Sequence, residues 1–223
     1  MGTSAKIQLS KEEMELVKNT DWILGKHIIT RKVYDMFGDI SIRLQHEIGS
    51  YNYLFPENLQ YQSGKISKGE NYELLPYVIL DYPAFFWKER IFAIRTMFWW
   101  GNFFSVTLHL SGIYKQKFIH NSNDLLSLLQ KNTFFICVND DEWQHHFNTD
   151  NYVAASTIAL DEFELINKKN FFKVSKKISL SEWQNADKFI ITSFREIVQL
   201  LQINYPAGKK DLLSGFPKVD SGL

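Results

Sequence analysis

The chain reads as an α+β fold: a mostly antiparallel curved sheet, with N-terminal helices and a long C-terminal helix packed on one face. Three observations predict it. Apolar residues recur at three- and four-residue steps near both ends of the chain, through 22–44 and 183–201. The middle holds short apolar runs bounded by Pro, Gly and Asn. The order is therefore helices, then strands, then a helix, the pattern of a sheet with helices laid on one side.

Each element has a local reason. Ser10-Lys11-Glu12-Glu13 is a capping box, which opens a helix that breaks at Asn19-Thr20-Asp21. A second helix carries Trp22, Ile29, Val33, Met36, Phe37, Ile40 and Leu44 on one face and ends near Ile48-Gly49. Residues 49–75 have no period and hold Gly49, Pro56, Gly64 and Gly69 among five tyrosines and phenylalanines, Tyr51 to Tyr72. They read as a long loop lying on the body of the protein, with a short strand at 60–66; loops of that length are often functional.

Residues 77–82 read as a buried strand bounded by Pro76 and Pro83, since proline cannot donate inside a ladder. Segments 91–100 and 103–110 flank Gly101-Asn102, which suits a two-residue hairpin turn. A short helix over 121–130, capped by Ser122 or Asn123, precedes a strand at 133–138. One or two helical turns are expected over 140–147, a short strand over 152–157, and helix or strand over 160–166. The strand at 171–178 carries Lys173, Lys176 and Lys177, the mark of a protected sheet edge. A second capping box, Ser179-Leu180-Ser181-Glu182, opens the last helix, whose apolar face is Trp183, Ala186, Ile190, Phe194, Ile197 and Leu201 and which Tyr205-Pro206 stops. This gives one domain over 1–223: a helical segment (1–48), the long loop (49–75), sheet and helices (76–203) and an irregular tail (204–223).

Composition narrows the function classes. Charge is balanced, 25 basic against 25 acidic residues, which argues against a dedicated nucleic-acid binder. The basic aromatic run 168–177 (Lys168, Lys169, Phe171, Phe172, Lys173, Lys176, Lys177) reads as a solvated strand for the same reason. Cys137 is the single cysteine, so no intrachain disulfide forms, and its Phe-Phe-Ile-Cys-Val setting is that of a buried inert thiol. The N-terminus has no apolar signal run and no Asn-x-Ser/Thr acceptor occurs, so a cytoplasmic protein is expected. Residues 91–114 are nearly free of charge, but Gly101-Asn102, Arg95 and the alternating Ser105, Thr107 and His109 argue against a membrane span.

If Gly101-Asn102 is a two-residue turn, Trp100 opposes Phe103, Thr96 opposes Thr107 and Ile94 opposes His109. One face then carries Ile91, Ala93, Arg95, Met97, Trp99, Phe104, Val106, Leu108 and Leu110, a core face with one arginine. The other mixes Thr96, Trp100, Thr107 and His109 with Phe92, Ile94, Phe98 and Phe103, the chemistry of a ligand surface. Arg95 requires a partner, for which Asp81 on the preceding strand is the candidate, or else it clamps an anion. Arg95, Thr96, Trp100, Thr107 and His109 are the candidate ligand-binding residues.

Glu142, His145 and His146 are spaced three and four apart, so a helix would let a pair of them share a metal, although a lone E-x-x-H is a weak signal. No nucleophile elbow, phosphate loop or dinucleotide fingerprint occurs, and no cofactor is implied. The expected function is a ligand-binding or protein-interaction domain, for a small molecule or a protein, without catalytic activity. The alternatives are a metal-assisted or acid–base hydrolase using His109 with Glu142, His145 or His146, and a homo-oligomeric assembly protein.

Overall fold

A computed structural model describes residues 8–55 and 63–205. Of the expected tail (204–223) the part from 206 on lies outside them, as do residues 60–62 of the expected strand at 60–66; the expected loop 49–75 is corrected by a strand over Lys65–Tyr72. Among the described residues there are six α-helices: α1 (Lys11–Lys18), α2 (Thr20–Gly49), α3 (Gly112–Phe118), α4 (Ser122–Lys131), α5 (Leu160–Ile166) and α6 (Ala186–Asn204). The strands are β1 (Lys65–Tyr72), β2 (Leu75–Trp87), β3 (Arg90–Trp99), β4 (Phe103–Ser111), β5 (Phe135–Cys137), β6 (Tyr152–Ala154) and β7 (Phe171–Ser179). They form one antiparallel seven-stranded sheet in the order β1-β2-β3-β4-β7-β5-β6, open and curled.

Three of the helix starts, those of α1, α2 and α4, follow from side chains that take up free amides. Ser10 and Glu13 form the reciprocal capping box of α1, and Asn19 both ends α1 and accepts from Trp22 N to start α2. Asn121 caps α4, one residue before the expected cap. Ser179 opens a 3₁₀ turn at Leu180–Asn185, and α6 follows.

One face of the sheet meets the helices. Val33, Phe37, Ile40 and Leu44 of α2, Phe118 of α3, Leu125 and Leu129 of α4, and Ile190, Phe194 and Ile197 of α6 pack with Leu80, Phe92, Ile94, Phe98, Phe104, Val106, Leu108 and Leu110. Each such side chain contributes ~1.5–3 kcal/mol by leaving water.

Three expectations are corrected here. Strand β2 runs through both Pro76 and Pro83, and the register shifts between Asp81 and Ala84, so the residue without an N–H sits where the ladder is broken anyway. Strand β7 lies between β4 and β5 and is not the expected edge strand; Lys173 is buried, while Lys177, beyond the residues that pair with β5, is exposed. The turn between β3 and β4 has three residues: Trp99 opposes Phe103, and Asn102 N donates to Trp99 O over Gly101 at φ +71.

That extra residue moves every partner by one. Thr96 opposes Val106, Arg95 opposes Thr107, and Ala93 opposes His109. The helix-side face is thus Phe92, Ile94, Thr96 and Phe98 with Phe104, Val106, Leu108 and Leu110. The other face is Ile91, Ala93, Arg95, Met97 and Trp99 with Phe103, Ser105, Thr107 and His109, continued by Lys173, Ser175 and Lys177 of β7.

Candidate functional site

The corrected register gathers the polar residues of four strands on one face. Asp81 lies opposite Arg95, Arg95 opposite Thr107, Thr107 opposite Ser175, and His109 opposite Lys173. Of the five predicted ligand residues, Arg95, Thr107 and His109 come together. Thr96 points to the helix side and is 2% exposed. Trp100 sits in the turn and packs on Phe98, which itself meets Trp183 of the helical layer. Both residues therefore leave the predicted group, because one added turn residue exchanges the faces.

The polar face is not open. Residues 138–151, between β5 and β6, cross it as a strap. The expected helix at 140–147 does not form: Asn139 Oδ1 accepts from Asp141 N at 2.8 Å and Asp141 Oδ1 from Trp143 N at 2.9 Å. Asn and Asp side chains capture the amides two residues on, and turns replace the helix.

Sheet side chains hold this strap. The Tyr72 hydroxyl accepts from His145 N (2.7 Å) and His146 N (3.0 Å). Lys173 Nζ donates to the carbonyls of Glu142 (2.8 Å) and Gln144. Phe147 packs among Phe103, Phe135 and Tyr152, with Lys177 Nζ over its ring.

The guanidinium on this face is paired. Arg95 donates from Nε to Asp81 Oδ1 (2.7 Å) and from Nη2 to Asp81 Oδ2 (2.9 Å), the bidentate form of a strong pair. Asp81 is thus the partner expected for Arg95. Its Nη1 lies 3.2 Å from His145 Nε2. A guanidinium only donates, so this ring nitrogen accepts and the imidazole is neutral with its proton on Nδ1. Burial, with Lys173 and Arg95 nearby, holds the His145 pKa well below the usual histidine value. His109 Nε2 lies 2.7 Å from Glu142 Oε2, yet burial outweighs this carboxylate and lowers the His109 pKa. Burial also brings Lys173 down to about 8. Thr107 Oγ1 bonds Ser175 Oγ at 2.8 Å, and Ser175 Oγ donates to Val106 O.

The three weak metal candidates diverge. Glu142 turns to His109, His145 to Arg95, and His146 lies 3.9 Å from both Glu73 and Asp150. Their shared helical face required a helix that the strap lacks. Among the described residues no group of three or more His, Cys, Asp or Glu side chains is placed to hold a metal ion. Two residues of this network, Tyr72 and Lys173, were not singled out for it from the sequence. A signal for Lys173 was present: Lys173 and Ser175 alternate with the buried Phe172 and Val174, so they share the opposite face.

Open surface lies elsewhere. A cleft of about 360 Å³ at the β3–β4 turn is lined by Glu73, Asn102, His146, Asn148 and Lys177, and another of about 330 Å³ lies along α6 beside Lys176 and Lys188. Neither is walled by Phe98 or Trp100. Among the described residues, half of the exposed large apolar side chains lie at the N-terminal helices. Helix α1 buries no residue and the first buried residue of α2 is Val33. Leu9, Met14, Leu16, Val17, Trp22, Ile23, Leu24, Ile28 and Ile29 are 37–63% exposed. Among the described residues no helix is long and apolar enough to cross a membrane.

Set against known protein families, curated proteins and solved structures, the chain matches none.

Proposed function

We propose that this chain is a protein-interaction domain whose contact surface is the helical arm formed by α1 and the first third of α2. The observation that carries this reading is the exposure of Trp22 at 54%, in line with Ile29 and the buried Val33, Phe37 and Ile40 on one helical stripe. The stripe is continuous, but the sheet lies under only its C-terminal part. A run of large apolar side chains in water marks a contact surface. The protein version is favoured over the small-molecule version because strap residues occupy the polar sheet face around Arg95, Thr107 and His109.

Cross-linking of the full chain in cell extract, read by mass spectrometry, tests this reading. Links to other protein molecules, copies of the chain included, are expected to concentrate at Lys11, Lys18 and Lys32. Links spread evenly over the exposed lysines of the whole body reject it.

A second reading has one observation in its favour. His109 and Glu142 form a 2.7 Å pair beside a lysine with a pKa of about 8, a set able to move protons. An acid–base hydrolase on this face needs the strap to lift. Screening the purified protein against ester, amide and phosphoester substrates checks it: turnover abolished by His109→Gln is the expected result, and no turnover of any class removes the reading.

A further inference from the structure

We infer that the arm is completed by a second copy of this chain, lying antiparallel to the first about a two-fold axis near Asp21 and Trp22, just past the Asn19 break. This deepens the contact-surface reading and rests on it. The charges along the arm carry the inference. Residues 11–21 hold two lysines against four acids, a net charge of −2. Residues 22–32 hold Lys26, Arg31 and Lys32 with no acid, and with Lys26 paired to Glu70 of β1 they leave Arg31 and Lys32 as the basic root. In a two-fold contact residue i of one copy meets residue j of the other and j meets i, and an antiparallel arrangement sets the acidic start of one arm beside the basic root of the other. A parallel arrangement would set like charge on like charge.

Patterning agrees. Trp22 and Ile29 extend the sheet-side stripe of α2, whereas Leu24 and Ile28 lie on its opposite side. A helix that is apolar on two sides is one covered on two sides. The two helices of a partner arm can supply both covers, where a single groove covers one.

Sedimentation velocity on the full chain, from about 1 to 100 µM, tests the inference. The wild type is expected to dimerise. Trp22→Ser with Ile29→Ser is expected to be monomeric, with an unchanged circular dichroism spectrum because neither residue is buried in the body. The decisive arm uses charge. Glu12→Lys with Glu15→Lys, and separately Arg31→Glu with Lys32→Glu, should each weaken the dimer by about tenfold or more. Mixing the two variants should restore it, because the start of each then meets the opposite charge at the root of the other. A wild-type monomer over the whole range overturns the inference, as does a dimer insensitive to Trp22 or a failure of the mixed variants to recover. A monomer whose arm lysines still cross-link to a different protein overturns the second copy alone and leaves the contact surface standing; a monomer with no arm-centred cross-links removes both.

Discussion

At the scale of single residues, two buried groups decide how the sheet face behaves. Arg95 and Asp81 are 17% and 9% exposed in their side chains, and each is the other's neutralising partner. Arg95→Ala leaves the Asp81 carboxylate buried and unpaired, so a loss of about 3–5 kcal/mol is expected in urea unfolding. Asp81→Leu combined with Arg95→Met should lose less than Arg95→Ala alone, because no charge is then left behind. His145 gives a pH signature. Its folded pKa is depressed by burial, so below the ordinary value of 6.5 the unfolded chain takes up a proton that the folded chain refuses. This contribution is therefore fully present above pH 6.5 and falls as pH drops toward the folded value. Urea midpoints at pH 7.5 and 5.5 should differ in that direction, and His145→Gln should shrink the difference. Lys173 has the same sign at higher pH: its folded value of about 8 against 10.5 unfolded makes stability rise between those values.

At the scale of elements, the strap is the piece whose order depends on its neighbours. It has no helix or strand of its own, and β1 holds it through one hydroxyl. Tyr72→Phe removes the shared acceptor of the His145 and His146 amides, at a cost of about 1–3 kcal/mol. Hydrogen exchange should speed up at 139–150 while the amides of β3 and β4 stay protected; uniform acceleration across the sheet would contradict a local role. The β4–α3 junction is a second tight point. Gly112 has φ +53, and a Cβ there would stand 2.6 Å from Glu89 O. Gly112→Ala should cost about 1–3 kcal/mol and lower the thermal midpoint.

At the scale of the whole molecule, the arm and the body are energetically separate. Because burial in α2 starts at Val33, the ion pair that a chain lacking residues 1–28 gives up among the described residues is the partly exposed Lys26–Glu70 pair. Its thermal midpoint in dilute solution should stay within about 3 °C of the full chain, whereas cross-linking to other molecules should vanish. A larger fall would mean that the arm is part of the core.

Much of this was legible in the residues. The capping box at Ser10, the break at Asn19, the apolar stripe of α2, the hairpin around Gly101 and the C-terminal helix follow from local chemistry and periodicity, and the order of elements gave the α+β class. The need of Arg95 for a carboxylate, and Asp81 as that carboxylate, followed from the cost of an unpaired buried charge. The candidate site was only partly legible. A turn of three residues in place of two moved Thr96 and Trp100 away from Arg95, Thr107 and His109. Strand order put Lys173 of β7 in the interior. Asx turns at Asn139 and Asp141 replaced a helix with a strap across the polar face. These outcomes are long-range: periodicity says which residues share a side of one strand, but pairing across strands, and what lies over them, depends on contacts far apart in the chain. The sequence by itself determined which segments are helix and strand and which side chains demand partners. Tertiary structure alone decided who those partners are, and that the polar face is covered while the apolar arm is left in water.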